Sequence, residues 1–490
     1  MIQDTDTIKH KTIIGALWQF LQQASSLLVS FGVSVVLARL LSPTDFGTVA
    51  LTGIFISVAS VLVDSGLGTS LIQKKEVDAL DYDTVFYASM GLSAILYAIL
   101  FAVAPLIGAI YEQPQVASIL RVLGIALFLS GITNVQRAAV IRRMDYKKFF
   151  IVTLISSITS GVVGLTLASL GWGVWALVAS NLTTGVASIV CLDFIVRWRP
   201  HLRFSWQRLK VLYSFGLNLL GASLIGSFFN ELRGFLIGLR YQPASLAFYN
   251  RGDGIPSIIN RNITGIANGV LFPAMSKLQD DKQAVKAAMR RSIKTCTFII
   301  APTMLLLAVI ADKVVLLLYT EKWMMAVPFM RLLCISYILS IIGDTNLYAM
   351  MAVGRSDTTF RLEFVKKPIY LAILLYTMTI SPLAMAAGTV VYSVIGTIIN
   401  ASPNKKLIQY GYVEQMRDIL PPIIAASFAA LAALFVGQLA ITPYLLLGMQ
   451  LAAGLTTYWL LAHILHLESY QYIRSTLIQH LKGEKTHDKP

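Results

Sequence analysis

Charge is scarce in this sequence, and negative charge scarcer still. Only 13% of its 490 residues are charged, with 25 Asp and Glu against 40 Lys and Arg. So few charges, beside 56% hydrophobic residues and a mean hydropathy of +0.69, exclude a soluble globular chain. Cysteine is nearly absent: Cys191, Cys296 and Cys334 lie far apart in apolar segments, which excludes a disulfide framework and metal-ligand spacing. The six histidines sit in tails or near the ends of apolar runs. His463 and His466 have i, i+3 spacing but no further ligands, so no metal site is expected. No G-x-x-x-x-G-K-[ST] occurs, which excludes ATP hydrolysis by that route. The opening MIQDTDTIKHK runs into an apolar segment of about 28 residues with no small-residue cleavage site, so it is expected to lead a first transmembrane helix rather than a removable signal.

What is abundant is long apolar runs. They recur from Ile13 to the Leu460s with short polar gaps. Lipid obliges backbone groups to pair within each segment, so the fold class is all-α, a polytopic membrane protein with about fourteen transmembrane helices. The expected spans are 13–41, 46–71, 83–111, 116–139, 148–170, 174–196, 212–239, 246–275, 292–317, 326–352, 362–381, 383–407, 418–438 and 442–465. Tight connections, SPTD at 42–45, YEQPQ at 111–115, GWG at 171–173 and SP at 381–382, demand antiparallel neighbours.

The basic residues alternate between the two sides. One side collects Lys74 and Lys75, then Arg142, Arg143, Lys147 and Lys148, then the Arg197–Lys210 group, and later the Lys277–Lys294 group. The other has only Arg39, Arg121, Arg240, Lys313 and Lys322 near its surface. By the positive-inside rule both termini lie in the cytoplasm. The formal charge of +15 is therefore spread along one membrane face, which removes nucleic acid as a partner. The stretch 197–211, RWRPHLRFSWQRLKV, is expected to form an interfacial helix on anionic lipid headgroups.

There is also an internal repeat. VVLARLLSPTDFGTV (35–49) overlays FLIGLRYQPASLAFY (235–249), with Pro43 on Pro243. Six spans precede the second copy, so the halves are parallel repeats. The expected division is an N-terminal lobe at 1–205, a second six-helix lobe at 206–410, two further spans at 411–466 and a cytoplasmic tail at 467–490. Polar stripes mark the facing helices. Gln19, Gln23, Ser26 and Ser30 in the first span overlay Ser223, Gly226 and Asn230 in the seventh.

The eighth span, within Phe248–Leu278, is the most polar of all. At 100° per residue, Asp253, Ser257, Asn260, Arg261, Thr264 and Asn268 fall within an arc of roughly 100°. Charge in hydrocarbon costs about 2.5–3.5 kcal/mol per residue, so this stripe must face protein or water.

Several stretches in this order resemble one bacterial family. They are LARLLSPTDFGTVAL and DSGLGTSLIQKKE around the second span, RRMDYKKF at 142–149, GWGVWALVASNL at 171–182, and FYNRGDGIP through VLFPAMSKLQDD. Together they resemble the polysaccharide transporter family, the Wzx-like branch of the multidrug/oligosaccharidyl-lipid/polysaccharide exporter superfamily. The resemblance covers most of positions 13–410. It implies an inner-membrane flippase that moves undecaprenyl-diphosphate-linked oligosaccharide from the cytoplasmic to the periplasmic leaflet. A polysaccharide polymerase and a chain-length regulator are the protein partners that go with it.

A lipid-linked sugar diphosphate needs hydroxyls and amides for sugar, and cations for phosphate. Arginine suits the latter because its fork donates in pairs and stays charged when desolvated. Arg261, near the middle of the eighth span and about 15 Å from either end, comes first, then Arg251 and Arg233. Arg251 alternatively pairs with Asp253 or Glu231 as a structural lock, and Arg331 is expected to snorkel. Asn260, Asn268, Asn230, Gln19 and Gln23 complete the substrate-binding set. No cofactor is expected. Coupling to H⁺ or Na⁺ would fall to Asp64, Glu231, Asp253 or Asp344, the carboxylates within spans. Alternatives are a drug/cation antiporter of the same superfamily, a lipid II flippase, and a membrane polysaccharide polymerase, which would need a longer outer loop than the one near 312–325.

Overall fold

The computed structural model describes residues 2–64, 66–143, 145–196 and 199–481, less the side chains of 2–14, 16, 214–219, 222, 266–268, 270 and 476–481. They are helical almost throughout, with no strand among them. The chain forms two compact units, Met1–Ala247 and Phe248–Pro490.

The first unit contains α1 (Ile2–Leu40), α2 (Pro43–Asp64), α3 (Leu67–Gln73), α4 (Ala79–Ile110), α5 (Pro114–Leu123), α6 (Ala126–Arg142), α7 (Tyr146–Ser169), α8 (Val174–Val196), α9 (Trp206–Arg240) and the start of α10 (Pro243–Lys277). The second unit holds the rest of α10, then α11 (Lys282–Tyr319), a 3-10 turn at Glu321–Ala326, α12 (Val327–Ala352), α13 (Ser356–Thr377), α14 (Pro382–Ala401), α15 (Asn404–Leu407), α16 (Tyr412–Val436), α17 (Pro443–Ile464) and α18 (Glu468–Leu481). The tail from 482 onward lies outside the described residues.

Local chemistry sets these ends. Proline occupies the first turn of α2, α5, α10, α14 and α17, where its missing N–H has no partner to lose. Before α2, the Ser42 hydroxyl accepts from Asp45 N at 3.2 Å while Asp45 Oδ2 accepts from Ser42 N at 3.0 Å, a reciprocal cap. Asp78 and Asp81 do the same for α4. Gly171 and Gly173, with φ of +82° and +55°, turn α7 into α8 where a Cβ would be strained.

Among the described residues, eleven segments are long and apolar enough to cross a membrane, and the chain is a multi-pass membrane protein. The helices at the other three expected span positions, α9, α10 and α13, fall outside that set, so the count of fourteen is not confirmed. α13 carries Asp357, Arg361, Glu363, Lys366 and Lys367 within its first twelve residues, which dilutes its hydropathy.

The interfacial helix expected at 197–211 is corrected in part: residues 199–205 are not helical, and α9 begins only at Trp206, after Ser205 accepts from Arg208 N. Pro200 disfavours helix in the residue before it. The strap is pinned instead by α4, where Asp83 Oδ1 accepts from His201 N at 3.1 Å and the Thr84 hydroxyl accepts from Ser205 N at 3.3 Å. Buried Asp81 pairs with Lys74 and Arg208, and Arg142 donates to the carbonyls of Leu71, Ile72, Lys74 and Lys75. Cations thus close the carbonyl end of α3, as the helix dipole favours.

The core of the first unit is built where α6 meets α3 and α4, around Leu67, Leu71, Val85, Val135 and Ala138, and where α1 meets α7 and α8, around Leu37, Leu41, Ala168, Ala176 and Leu177. In the second unit, α11 and α12 are the most buried spans and pack against α14 and α16. Amides hold that core together. Asn346 and Gln415 exchange hydrogen bonds of 2.8 and 2.9 Å, and Asn404 donates to Asn346 Oδ1 at 2.7 Å.

Candidate functional site

The first unit encloses two hollows, of about 360 and about 500 Å³, that share Ser130, Thr133 and Arg137. These residues lie at i, i+3 and i+7 of α6, on one face of that helix. The adjoining flank is committed to α4. Gly131 lets α6 approach Ser93, and the Ser93 hydroxyl donates to Leu127 O at 3.0 Å. Packing therefore turns the polar face of α6 towards the hollows.

Side chains from four other helices complete the larger hollow. Ser26 and Ser30 come from α1, Ser60 from α2, Ser156 and Ser157 from α7, and Asn181, Thr184 and Ser188 from α8. Many of these are tied between helices. Ser188 donates to Ser156 at 3.0 Å, Gln22 donates to Thr153 at 3.3 Å, and Ser160 and Ser180 lie 3.0 Å apart just beyond. A hydroxyl has one donor and two acceptor sites, so one such bond leaves capacity for a ligand. The result is a wall of hydroxyls and amides, the lining a sugar needs.

Charge enters through Arg137 and Asp64. The Arg137 guanidinium lies 5.3 Å from the Phe149 ring centroid and borders both hollows. Asp64, at the end of α2, borders the smaller one, where Arg137 is the charge that acts on it. Asn134 lies on the same wall, and its buried amide nitrogen has no hydrogen-bond partner among the described residues.

The sequence-derived residues of the first unit lie partly along the larger hollow. Ser26 and Ser30 of the α1 stripe enter the larger hollow, but Gln19 and Gln23 are exposed and Gln22 lines it instead. Gln19 lies two turns beyond Ser26 along the helix, and Gln23 is rotated 100° from Gln22. On α9, Asn230 is exposed while Glu231 and Arg233 are half-buried, and none of the three borders either hollow.

In the second unit, Arg251 is centred 5.2 Å from both the Tyr319 and Trp323 rings, and Asp253 accepts from the Tyr337 hydroxyl at 2.8 Å. Gly252 between them lets α10 approach Phe329 of α12. Asn260 is buried, with Oδ1 unpartnered among the described residues, whereas Arg261 is exposed and its Nε donates to Ser257 O at 3.4 Å. The side chain of Asn268 lies outside the described residues. Asp344 on α12 is half-buried and feels Lys366 of α13, itself buried and 2.5 Å from Glu363. Arg331 donates to Ala308 O at 3.2 Å.

Reasoning from sequence passed over Arg137, Asn134 and Lys366. The signal was present. Ser130, Thr133, Asn134 and Arg137 follow the i, i+3, i+4, i+7 rule within an apolar helix, the same rule that singled out the eighth span.

Similar proteins agree with this architecture. The succinoglycan biosynthesis transport protein ExoT of Rhizobium meliloti is 26% identical over 88% of this chain and 88% of its own length. The lipopolysaccharide biosynthesis protein WzxC of Escherichia coli is 25% identical over 80% of this chain and 81% of its own. The teichuronic acid biosynthesis protein TuaB of Bacillus subtilis is 21% identical over 96% of this chain and 99% of its own. Among solved structures, the lipid II flippase MurJ in an inward closed conformation superposes with a TM-score of 0.73, covering 93% of this chain and 99% of that one at 12% identity. An inward-facing MATE family transporter of the MOP superfamily gives 0.62, over 78% of this chain and 96% of that one at 15% identity. Residues 36–328, well over half of the chain, match the polysaccharide biosynthesis protein family. With that match and a fold shared with MOP superfamily transporters, the chain belongs to the polysaccharide biosynthesis protein family.

Proposed function

We propose that this protein is a flippase that carries undecaprenyl-diphosphate-linked oligosaccharide repeat units from the cytoplasmic to the periplasmic leaflet of a bacterial inner membrane, for surface polysaccharide biosynthesis. The observation that carries the reading is the hydroxyl- and amide-lined cleft of the first unit. Hydrocarbon has no use for so many hydroxyls on one wall, whereas a sugar matches them donor for acceptor. Relatives named for polysaccharide transport support the same substrate class. The basic excess on one set of loops supports cytoplasmic termini, and with them the direction of transport. Transport proceeds by alternating access between the two repeated halves, without covalent chemistry. Coupling to H⁺ or Na⁺ falls to a carboxylate in the spans, with Asp344, next to Lys366, the best-placed in the second unit. The cation in the cleft wall, Arg137, speaks against a cation antiporter, which would need acidic lining there.

Deleting the gene is expected to make lipid-linked repeat units accumulate on the cytoplasmic leaflet, and the intact gene should restore export. Normal surface polysaccharide in the deletion strain, with cationic drugs retained in the cell instead, would replace this reading with the antiporter.

A further inference from the structure

The smaller hollow of the first unit holds a charge arrangement with a more specific meaning. Arg137 and Asn134, one turn apart on α6, both border it. The guanidinium has five N–H donors and no acceptor, and the Asn134 amide nitrogen is buried without a partner among the described residues. Ser130 and Thr133 add hydroxyls at the junction with the sugar-lined hollow. Convergent donors with an arginine among them suit an oxyanion, and phosphate most of all. The carboxylate on the same wall is Asp64.

We infer that the diphosphate of the lipid-linked sugar is received here. Arg137 and Asn134 donate to phosphate oxygens, the larger hollow takes the first sugars, and Asp64 is a resting counter-charge that the phosphate displaces. The substrate class rests on the flippase reading above. Depth agrees with loading from the cytoplasmic leaflet. Arg137 is five residues, about 7.5 Å, from Arg142 at the end of α6, where the basic loops mark the cytoplasmic surface. Asp64 keeps the empty site close to neutral, which lowers the cost of an arginine at membrane depth. Once a diphosphate is bound, the same carboxylate is a like charge beside it and opposes binding.

This arrangement makes an asymmetric prediction for the purified full-length protein in detergent, with farnesyl diphosphate, inorganic pyrophosphate and farnesol as probes. Arg137→Gln should weaken farnesyl diphosphate about tenfold or more, and Arg137→Lys by less, because lysine keeps the charge but loses the paired donors. Asp64→Asn should bind farnesyl diphosphate more tightly than the wild type. Farnesol binding should be the same in all variants. Wild-type affinity in both arginine variants, or weaker binding in Asp64→Asn, overturns the inference. Should Arg137→Gln lack a wild-type unfolding midpoint, Arg137→Lys and Asp64→Asn still decide the question by their opposite signs. Pyrophosphate bound as tightly as farnesyl diphosphate, with the same dependence on Arg137, would overturn the lipid-linked assignment in favour of free phosphate. If the Arg137 and Asp64 effects hold while the deletion strain accumulates no lipid-linked units, the anion site stands and the flippase reading falls.

Discussion

An arginine inside a membrane protein has to find donors' partners or a polarisable surface, and the arginines of this chain do so in different ways. Arg251 rests against two aromatic faces, with Tyr319 and Trp323 each 5.2 Å away. A desolvated guanidinium over such rings gains about 2 kcal/mol or more. Arg251→Ala is therefore expected to lower stability by about that amount, and Arg251→Lys by less, read as shifts in thermal unfolding in detergent. Arg261 is exposed on the polar face of α10, where its Nε donates to Ser257 O of its own helix. Its replacement should leave folding alone. Arg261→Glu is expected to insert normally and to abolish export; normal export in that variant would remove Arg261 from the substrate path. Asp418 is the reverse case, a nearly buried acid that accepts from Arg290 at 2.7 and 2.8 Å and from the Tyr410 hydroxyl at 2.8 Å, with Lys294 at 3.1 Å. Removing it takes away the Arg290 pair and the Tyr410 acceptor, while Lys294 keeps Glu468 at 2.7 Å. Asp418→Ala should cost about 1.5–3 kcal/mol, whereas a change at the exposed Glu468 should cost little, by the same unfolding measurement.

Among the elements, the corners of the repeat are the most constrained. α1 ends at Leu40 and α2 starts at Pro43; two hundred residues on, α9 ends at Arg240 and α10 starts at Pro243. A Cβ on Gly47 would overlap the Pro243 carbonyl, and one on Gly238 would overlap the Leu51 side chain. Gly47→Leu should therefore destabilise by about 1–3 kcal/mol or more and cut the folded yield, because the obstacle is backbone and cannot move aside. Gly53→Leu, at a site with open space, is the control and should be close to neutral. These corners could be read from the sequence, since proline, glycine and capping residues act within a few positions of themselves. The hydropathy of most spans was legible for the same reason. The strap at 199–205 was not, because its path is fixed by Asp83 and Thr84, more than a hundred residues away. The polar cleft was half legible. Ser26 and Ser30 follow from helical spacing, but the register that admits Gln22 and leaves Gln19 and Gln23 outside depends on how α1 leans on α7. Arg137 gains its meaning only when α1, α7 and α8 close over the same face of α6, and no single helix records that.

At the scale of the whole molecule, the family match places the chain among polysaccharide biosynthesis proteins, and its fold is the one MurJ has. The cleft adds what that likeness does not contain, a lining of hydroxyls and amides with Arg137 at its edge. The direct test of the central claim is transbilayer movement by the purified protein in liposomes. A fluorescent undecaprenyl-diphosphate oligosaccharide would be placed in one leaflet, with a proton and then a Na⁺ gradient imposed, and its appearance in the other leaflet followed by quenching from outside. The account predicts protein-dependent movement that Arg137→Gln slows by about tenfold or more. Movement no faster than in protein-free liposomes under either gradient would contradict it.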